Sequence, residues 1–295
     1  MGGEPRQDAG ARGRGAEPGE PGTAAQGVAT VTRAADILAC FCDTRRGDLG
    51  ITEIADRLAM SKASVHRILS SLRSRGLVER APDTHRYSLG PLAMRLGLAY
   101  LDALDVRTVA APELAGMSAS TGETATLSMR VGDARVYVDQ VTPDREVIMS
   151  VTLGAPIPLY LGASSKALLA WMPEAEDPQA LTRIVRYGKV LARVRAAGEV
   201  APSLRALTED LVTIRGRGWA GSIGERQPGA GSVAAPIFDH QGRPVAVFSV
   251  CGPAERFTRV ADECRGVVLD ACRRVSARMG HLASCEAVGL FVTRG

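Results

Sequence analysis

Much of what marks an enzyme or a membrane protein is missing from this sequence. No run approaches the ~18 consecutive apolar residues of a transmembrane helix, so no helical span is expected. The opening residues lack the apolar core of a signal peptide, which places the expected location in the cytoplasm. The formal net charge is only +4, so the molecule as a whole is not a basic sleeve for nucleic acid. Six cysteines (40, 42, 251, 264, 272 and 285) include no CxxC or other metal spacing, and the four histidines (66, 85, 240 and 281) are scattered. No metal site and no cofactor are expected. Buried reduced thiols are the default for such cysteines, with a redox-sensing thiol as the alternative. Catalytic patterns are also missing. The stretch around Lys166 has Ala163 where a serine–x–x–lysine nucleophile needs its serine, and it lacks phosphate-loop glycines. No carboxylate pair or Ser/His/Asp set has supporting context, so an enzyme is not expected.

What is present fits a folded chain of about two domains, with 295 residues of which 45% are hydrophobic. Residues 1–27 are the exception. They are rich in Gly, Ala, Pro, Glu and Arg, have almost nothing to bury, and are expected to form a disordered tail.

The most informative stretch is 51–76, ITEIADRLAMSKASVHRILSSLRSRG. Thr52 is positioned to N-cap a short helix over 52–59 whose apolar face is Ile54, Ala55 and Leu58. Ser61 is the next N-cap, and Val65, Ile68, Leu69 and Leu72 then form a single stripe. The opposite face carries Ala63, Arg67, Ser70 and Ser74, flanked by His66 and Ser71. This is the layout of a helix-turn-helix, whose second helix enters the major groove of DNA. Small and hydroxyl side chains let the backbone approach closely, and Arg67 has the reach for a guanine edge or a phosphate. Ser61, Lys62 and Ser64 occupy the first turn, where a helix N-terminus favours phosphate. Gly76 is suited to stop the helix.

Residues 77–90, LVERAPDTHRYSLG, read as two short strands around Pro82-Asp83-Thr84, the wing of a winged helix. Arg80, His85 and Arg86 lie at or near its tip and are candidates for phosphate or minor-groove contact. Ahead of the motif, Ala34, Ile37, Leu38 and Phe41 supply a third helix. Residues 28–90 hold ten Lys/Arg against seven Asp/Glu, a surplus of only three. Affinity for DNA would then need a few placed cations and more than one copy of the domain.

Residues 91–108 read as a linker helix with Leu92, Leu96, Tyr100 and Leu104 on one side. From 109 to 283 the pattern is α+β. A helix is expected over 110–121, then strands over 124–131 and 134–140 around the turn Gly132-Asp133. Further strands are expected at 146–151, 219–223, 233–238 and 245–251. Helices are expected at 164–172, 203–217 and 260–282. The polar stretch 176–200 carries no assignable pattern, and 284–295 is expected to be a C-terminal tail.

Together these motifs resemble the IclR family of bacterial transcriptional regulators, from about Val31 to Gly280. The resemblance is carried by TEIADRL, SKASVHRILSSL, the wing ending RYSLG, TGETATLS, GAPIPLYLGASSKALLA, RGRGWAGSIGERQPGAGSVAAPIFD and VAVFSVCGPAERFT. It implies an N-terminal winged helix-turn-helix and a C-terminal GAF-like effector-binding domain, with a mostly antiparallel sheet flanked by helices. It also implies a homodimer or homotetramer on double-stranded operator DNA, governed by a small-molecule effector, often an organic or aromatic acid. Repression is favoured over activation. The alternatives are a thiol-based redox-responsive regulator and, less favoured, an enzyme. Carried over residue by residue, the effector site comprises Ala163, Ser164, Ser222, Ser232, Ser249 and Cys251. Ser222, Ser232 and Cys251 depart from the glyoxylate- and pyruvate-sensing pattern, which has Asp, Cys and Ser there. Glu225 and Arg226 either border the pocket or form a surface pair beside a turn.

Overall fold

In the computed structural model, residues 29–42, 44, 46–194 and 201–287 are described. The expected N-terminal tail, 1–27, lies outside them, as does 288–295. The chain divides into two compact units, Met1–Leu96 and Gly97–Gly295.

Helical spacing of apolar residues builds the first unit. Ile37, on α1 (Ala29–Ala39), is fully buried with Ile54, Val65, Leu69 and Val78. Helix α2 (Ile51–Arg57) starts earlier than expected, and its N-cap is Gly50 rather than Thr52. The cause is Glu53, whose carboxylate accepts the Gly50 N–H at 2.6 Å and so performs the capping role expected of the threonine hydroxyl. Helix α3 (Lys62–Ser74) starts as expected, with the Ser61 hydroxyl accepting the Ser64 N–H at 3.2 Å. Just past its end, Gly76 adopts φ +74°, a left-handed conformation natural to glycine. Strands β2 (Val78–Arg80) and β3 (Tyr87–Leu89) form the expected hairpin. An unforeseen two-residue strand, β1 (Asp48–Leu49), pairs with β3 and widens the wing to three strands.

Helix α4 (Pro91–Ala103) contains the boundary between the units. The linker helix was expected to run to Thr108, but it ends sooner. The Asp105 carboxylate accepts the Arg107 N–H at 3.1 Å and the Thr108 hydroxyl at 2.9 Å, which caps a new helix, α5 (Val106–Thr121).

The second unit is a six-stranded antiparallel sheet, β6-β5-β4-β9-β8-β7. Its strands are β4 (Thr124–Val131), β5 (Ala134–Val141), β6 (Ile157–Pro158), β7 (Ala220–Ile223), β8 (Ala230–Phe238) and β9 (Pro244–Pro253). Alternation along the strands sends Leu127, Val233, Phe248 and Val250 to one face, against α5 and α9 (Ala254–Arg278). Tyr137, Ala220, Ala234 and Val247 go to the other face, against α6 (Gly162–Leu169), with α7 (Pro178–Val194) and α8 (Leu204–Arg217) behind it.

Two expectations are corrected, and one unassigned stretch gains a helix. Residues 146–151 are not a strand. The side-chain amide of Gln140 bonds both backbone polar groups of Val151, at 3.0 and 3.1 Å, and stands in for a strand partner. The unassigned stretch 176–200 holds α7, whose buried Ala180, Leu181, Ile184 and Val185 form a narrow stripe among polar residues. The last long helix starts at Ala254 rather than Val260 and stops at Arg278. Gly280, at φ +82°, separates it from α10 (Leu282–Ala287), which enters the expected C-terminal tail. No helix among the described residues is long and apolar enough to cross a membrane.

Candidate nucleic-acid interface and ligand cleft

In the first unit, burying Val65, Ile68, Leu69 and Leu72 turns the other side of α3 outward. Lys62, Ala63, His66, Arg67, Ser70, Ser71 and Ser74 are exposed there. Ser61 and Ser64 share a hydroxyl–hydroxyl bond of 2.9 Å at the N-terminus, and the Ser71 hydroxyl donates back to the Arg67 carbonyl at 3.2 Å. Lys62 and Arg67 enter no ion pair among the described residues, so both cations are available to an outside anion. In the wing, Arg80 and His85 are exposed. The Arg80 Nε donates to the His85 carbonyl at 3.4 Å, and His85 sits at φ +58° in the turn.

Arg86 differs from the expectation that grouped it with them. Its guanidinium is paired with Asp48 at 2.8 Å and with Glu53 at 2.7 Å, and it also donates to the Asp48 carbonyl at 3.3 Å. Hydrogen bonding to Asp48 raises its pKa. Arg86 therefore clamps the wing to the start of α2.

In the second unit the cleft lies on the α6 face of the sheet, lined by Tyr137, Met149, Ser222, Glu225, Arg226, Gln227, Ala230, Ser232 and Cys251. Register places Ser222, Ser232 and Cys251 in one row across β7, β8 and β9. The Ser222 and Ser232 hydroxyls lie 3.0 Å apart, and Ser222 also accepts the Ala163 N–H at 3.3 Å. The Gly162 N–H donates to Glu225 at 3.3 Å. Lys166, one turn further along α6, pairs with Glu225 at 2.9 Å and with Asp210 of α8 at 2.7 Å. Burial alone would lower its pKa, but the two carboxylates outweigh burial and hold it raised.

Of the expected site residues, Ser222, Ser232 and Cys251 come together in the cleft, and Ala163 borders it through its amide. Ser164 is buried in α6. Ser249 departs from expectation. It lies one pair deeper on the same sheet face, and its hydroxyl is 2.6 Å from that of Thr126. Glu225 and Arg226 resolve as cleft residues rather than a surface pair. Sequence reasoning missed Tyr137 and Met149, and also Arg135, which is 1% exposed. Arg135 donates to Ser165 at 2.9 Å and Ser128 at 2.7 Å, and its guanidinium lies over the Tyr137 ring at 4.2 Å. The missed signal was Arg135 at the same strand spacing as Tyr137, so that both turn to one face of β5.

The cysteines give the redox alternative little support. Burial pushes the thiols of Cys251 and Cys264 up to about 11 and that of Cys272 up to about 12, which keeps them protonated and unreactive.

Comparison with known proteins agrees with this architecture. The IclR helix-turn-helix domain matches residues 30–82, and the bacterial transcriptional regulator IclR C-terminal domain matches 98–277. The chain is 35% identical over 254 residues to the HTH-type transcriptional regulator BhcR of Paracoccus denitrificans, covering 86% of this chain and 88% of that one. It is 31% identical over 259 residues to the glycerol operon regulatory protein of Streptomyces griseus, covering 87% and 98%. Among solved structures, Pseudomonas aeruginosa HmgR superposes with a TM-score of 0.76 at 28% identity, covering 86% and 99%. A DNA-binding helix-turn-helix joined to a ligand-sized α+β unit is therefore shared with regulators rather than enzymes, and the chain belongs to the IclR family of bacterial transcriptional regulators.

Proposed function

We propose that this regulator is a ligand-responsive repressor that binds double-stranded operator DNA in the cytoplasm as a homodimer or homotetramer and senses a small organic or aromatic acid. The carrying observation is that α3 presents Lys62, His66 and Arg67 outward while its apolar stripe is wholly committed to the core. Base contacts from this helix choose the site, and phosphate contacts from Ser61, Ser64, Ser71, Arg80 and His85 set its register. A surplus of three positive charges in 28–90 is small, so two copies on two half-sites are needed. Met94, Leu96, Leu98 and Tyr100 leave α4 with exposed apolar side chains that a second copy would cover.

The effector reading rests on the cleft. Hydroxyls at Ser222 and Ser232, the α6 amides and the cationic Arg226 together suit a carboxylate. An effector binding one conformation better than another shifts the population between DNA-binding and released forms. Repression is supported by a similarity of 27% identity over 259 residues to the transcriptional repressor IclR of Escherichia coli. Gel shift on the protein's own promoter region, with and without a panel of small acids, tests the whole reading. Retarded DNA released by an acid is expected, and no retardation at any protein concentration would overturn it.

A further inference from the structure

The second unit leaves positive charge uncompensated inside its ligand cleft. Three cations lie in it or directly against its lining: Arg226 in the wall, Lys166 behind Glu225, and the buried Arg135 behind Tyr137. Two of the guanidinium groups lie over one ring, Arg135 at 4.2 Å and Arg226 at 5.7 Å from the centre of Tyr137. Two carboxylates, Asp210 and Glu225, face Lys166. Glu123, just before β4, is already paired with Arg256 at 2.5 Å. Arg135 has only hydroxyl and ring partners and no carboxylate among the described residues. The cleft and the groups packed against it thus hold one positive charge more than their carboxylates balance, and a buried charge without a counter-ion is costly.

A second sign of a missing group is Thr124. Register sets it directly opposite Cys251, on the cleft side of the sheet. Its hydroxyl is fully buried and has no hydrogen-bond partner. Buried hydroxyls are normally satisfied, so an orphan beside a cleft marks a place where something else binds.

The third observation concerns Glu225. Its carboxylate already occupies the best anion seat in the cleft. One oxygen accepts the Gly162 N–H at the start of α6, at 3.3 Å, and the other accepts Lys166 at 2.9 Å. The loop that carries it, between β7 and β8, turns through Gly224 and Gly229, both at positive φ. Glu225 keeps a side-chain exposure of 36%, so it is not locked in a core.

We propose that Glu225 is a built-in occupant of the effector's carboxylate seat, and that the effector is a monocarboxylate that displaces it from Gly162 and Lys166 while its own charge offsets the surplus of Arg135 and Arg226. This rests on the acid-sensing reading above and deepens it. Binding then does more than fill space. It releases the β7–β8 loop from α6, which gives the ligand a differential interaction with two states of the unit, as a switch requires.

The experiment uses the full chain and three probes, acetate, pyruvate and benzoate, with benzamide as the uncharged counterpart of benzoate. Calorimetry and thermal shift are run on the parent, on Glu225→Gln and on Asp210→Asn. If Glu225 holds the seat in nine molecules of ten, removing its charge tightens acid binding by about tenfold. Asp210→Asn removes the same charge from Lys166 but leaves the seat occupied, so its effect is about threefold or less. Benzamide binding stays unchanged in both variants. Equal acid affinity in the parent and Glu225→Gln overturns the displacement, as does a gain in Asp210→Asn that matches it. If no acid binds either the parent or Glu225→Gln, the acid-sensing reading itself falls, and this inference with it.

Discussion

Arg86 of the wing reaches Glu53 of α2 at 2.7 Å, across 33 positions of sequence, and that same carboxylate caps α2 through the Gly50 amide. One arginine therefore ties the wing to the first helix of the motif. The Gly50 hydrogen bond, followed by the Arg86 contact, holds the Glu53 carboxyl below its ordinary value of 4.5. A carboxylate with a depressed folded-state pKa contributes stability above its unfolded value, and this is lost as pH falls through the folded one. Thermal stability should therefore fall as pH drops below about 4.5 in the parent, and less steeply in Arg86→Ala. Circular dichroism melts between pH 3 and 7, on the order of one unit apart, read this out, and parallel pH profiles for the two proteins would remove the clamp.

Arg67 projects from the exposed side of α3 with no ion pair to lose. Arg67→Ala should leave the melt unchanged and cost about 1–3 kcal/mol of operator affinity if the side chain reads a base. Gel shift on the promoter region measures it. Undiminished binding would take α3 out of the reading role.

Ser249 and Ser222 separate structure from recognition. Ser249→Ala strands the buried Thr126 hydroxyl 2.6 Å away, so it should lower stability by about 1–3 kcal/mol and leave acid binding intact. Ser222→Ala removes a cleft hydroxyl that bonds both Ser232 and the Ala163 amide, so it should weaken acid binding with a smaller effect on the melt. Thermal shift with and without benzoate decides between them. A loss of acid binding in Ser249→Ala alone would restore that residue to the site.

Cys251, Cys264 and Cys272 should resist alkylation at neutral pH. A thiol raised to about 11 is ionised at pH 7 in on the order of one molecule in ten thousand. Mass spectrometry after brief iodoacetamide treatment should find the exposed Cys42 modified well before these three. Early modification of Cys251 would revive the redox alternative.

The helix-turn-helix was legible because its signals agree at every level. Val65, Ile68, Leu69 and Leu72 repeat at helical spacing, Ser61 caps the start, and Gly76 marks the end. Where a side chain replaced a backbone device, the pattern misled. Glu53 displaced Thr52 as the capping group, and Gln140 substituted for a strand opposite 146–151. The cleft was half-legible. Ser222, Ser232 and Cys251 were carried over from the family resemblance, but Arg135 and Tyr137 lie on a distant strand that only the sheet order brings beside them. Charge on a strand reads as surface until the packing of α6 over that face is known.

Hydrogen bonds fasten the segment between β5 and β6 to the sheet through Gln140 to Val151 and the Tyr137 carbonyl to the Gly154 N–H at 2.8 Å, and to α9 through Arg256 to the Val147 carbonyl at 3.1 Å. It nonetheless contributes Met149 to the wall of the cleft. Part of that wall is therefore free to drift by substitution while the six strands beneath stay as they are. A lineage built on this sheet could reshape the cleft without having to refold.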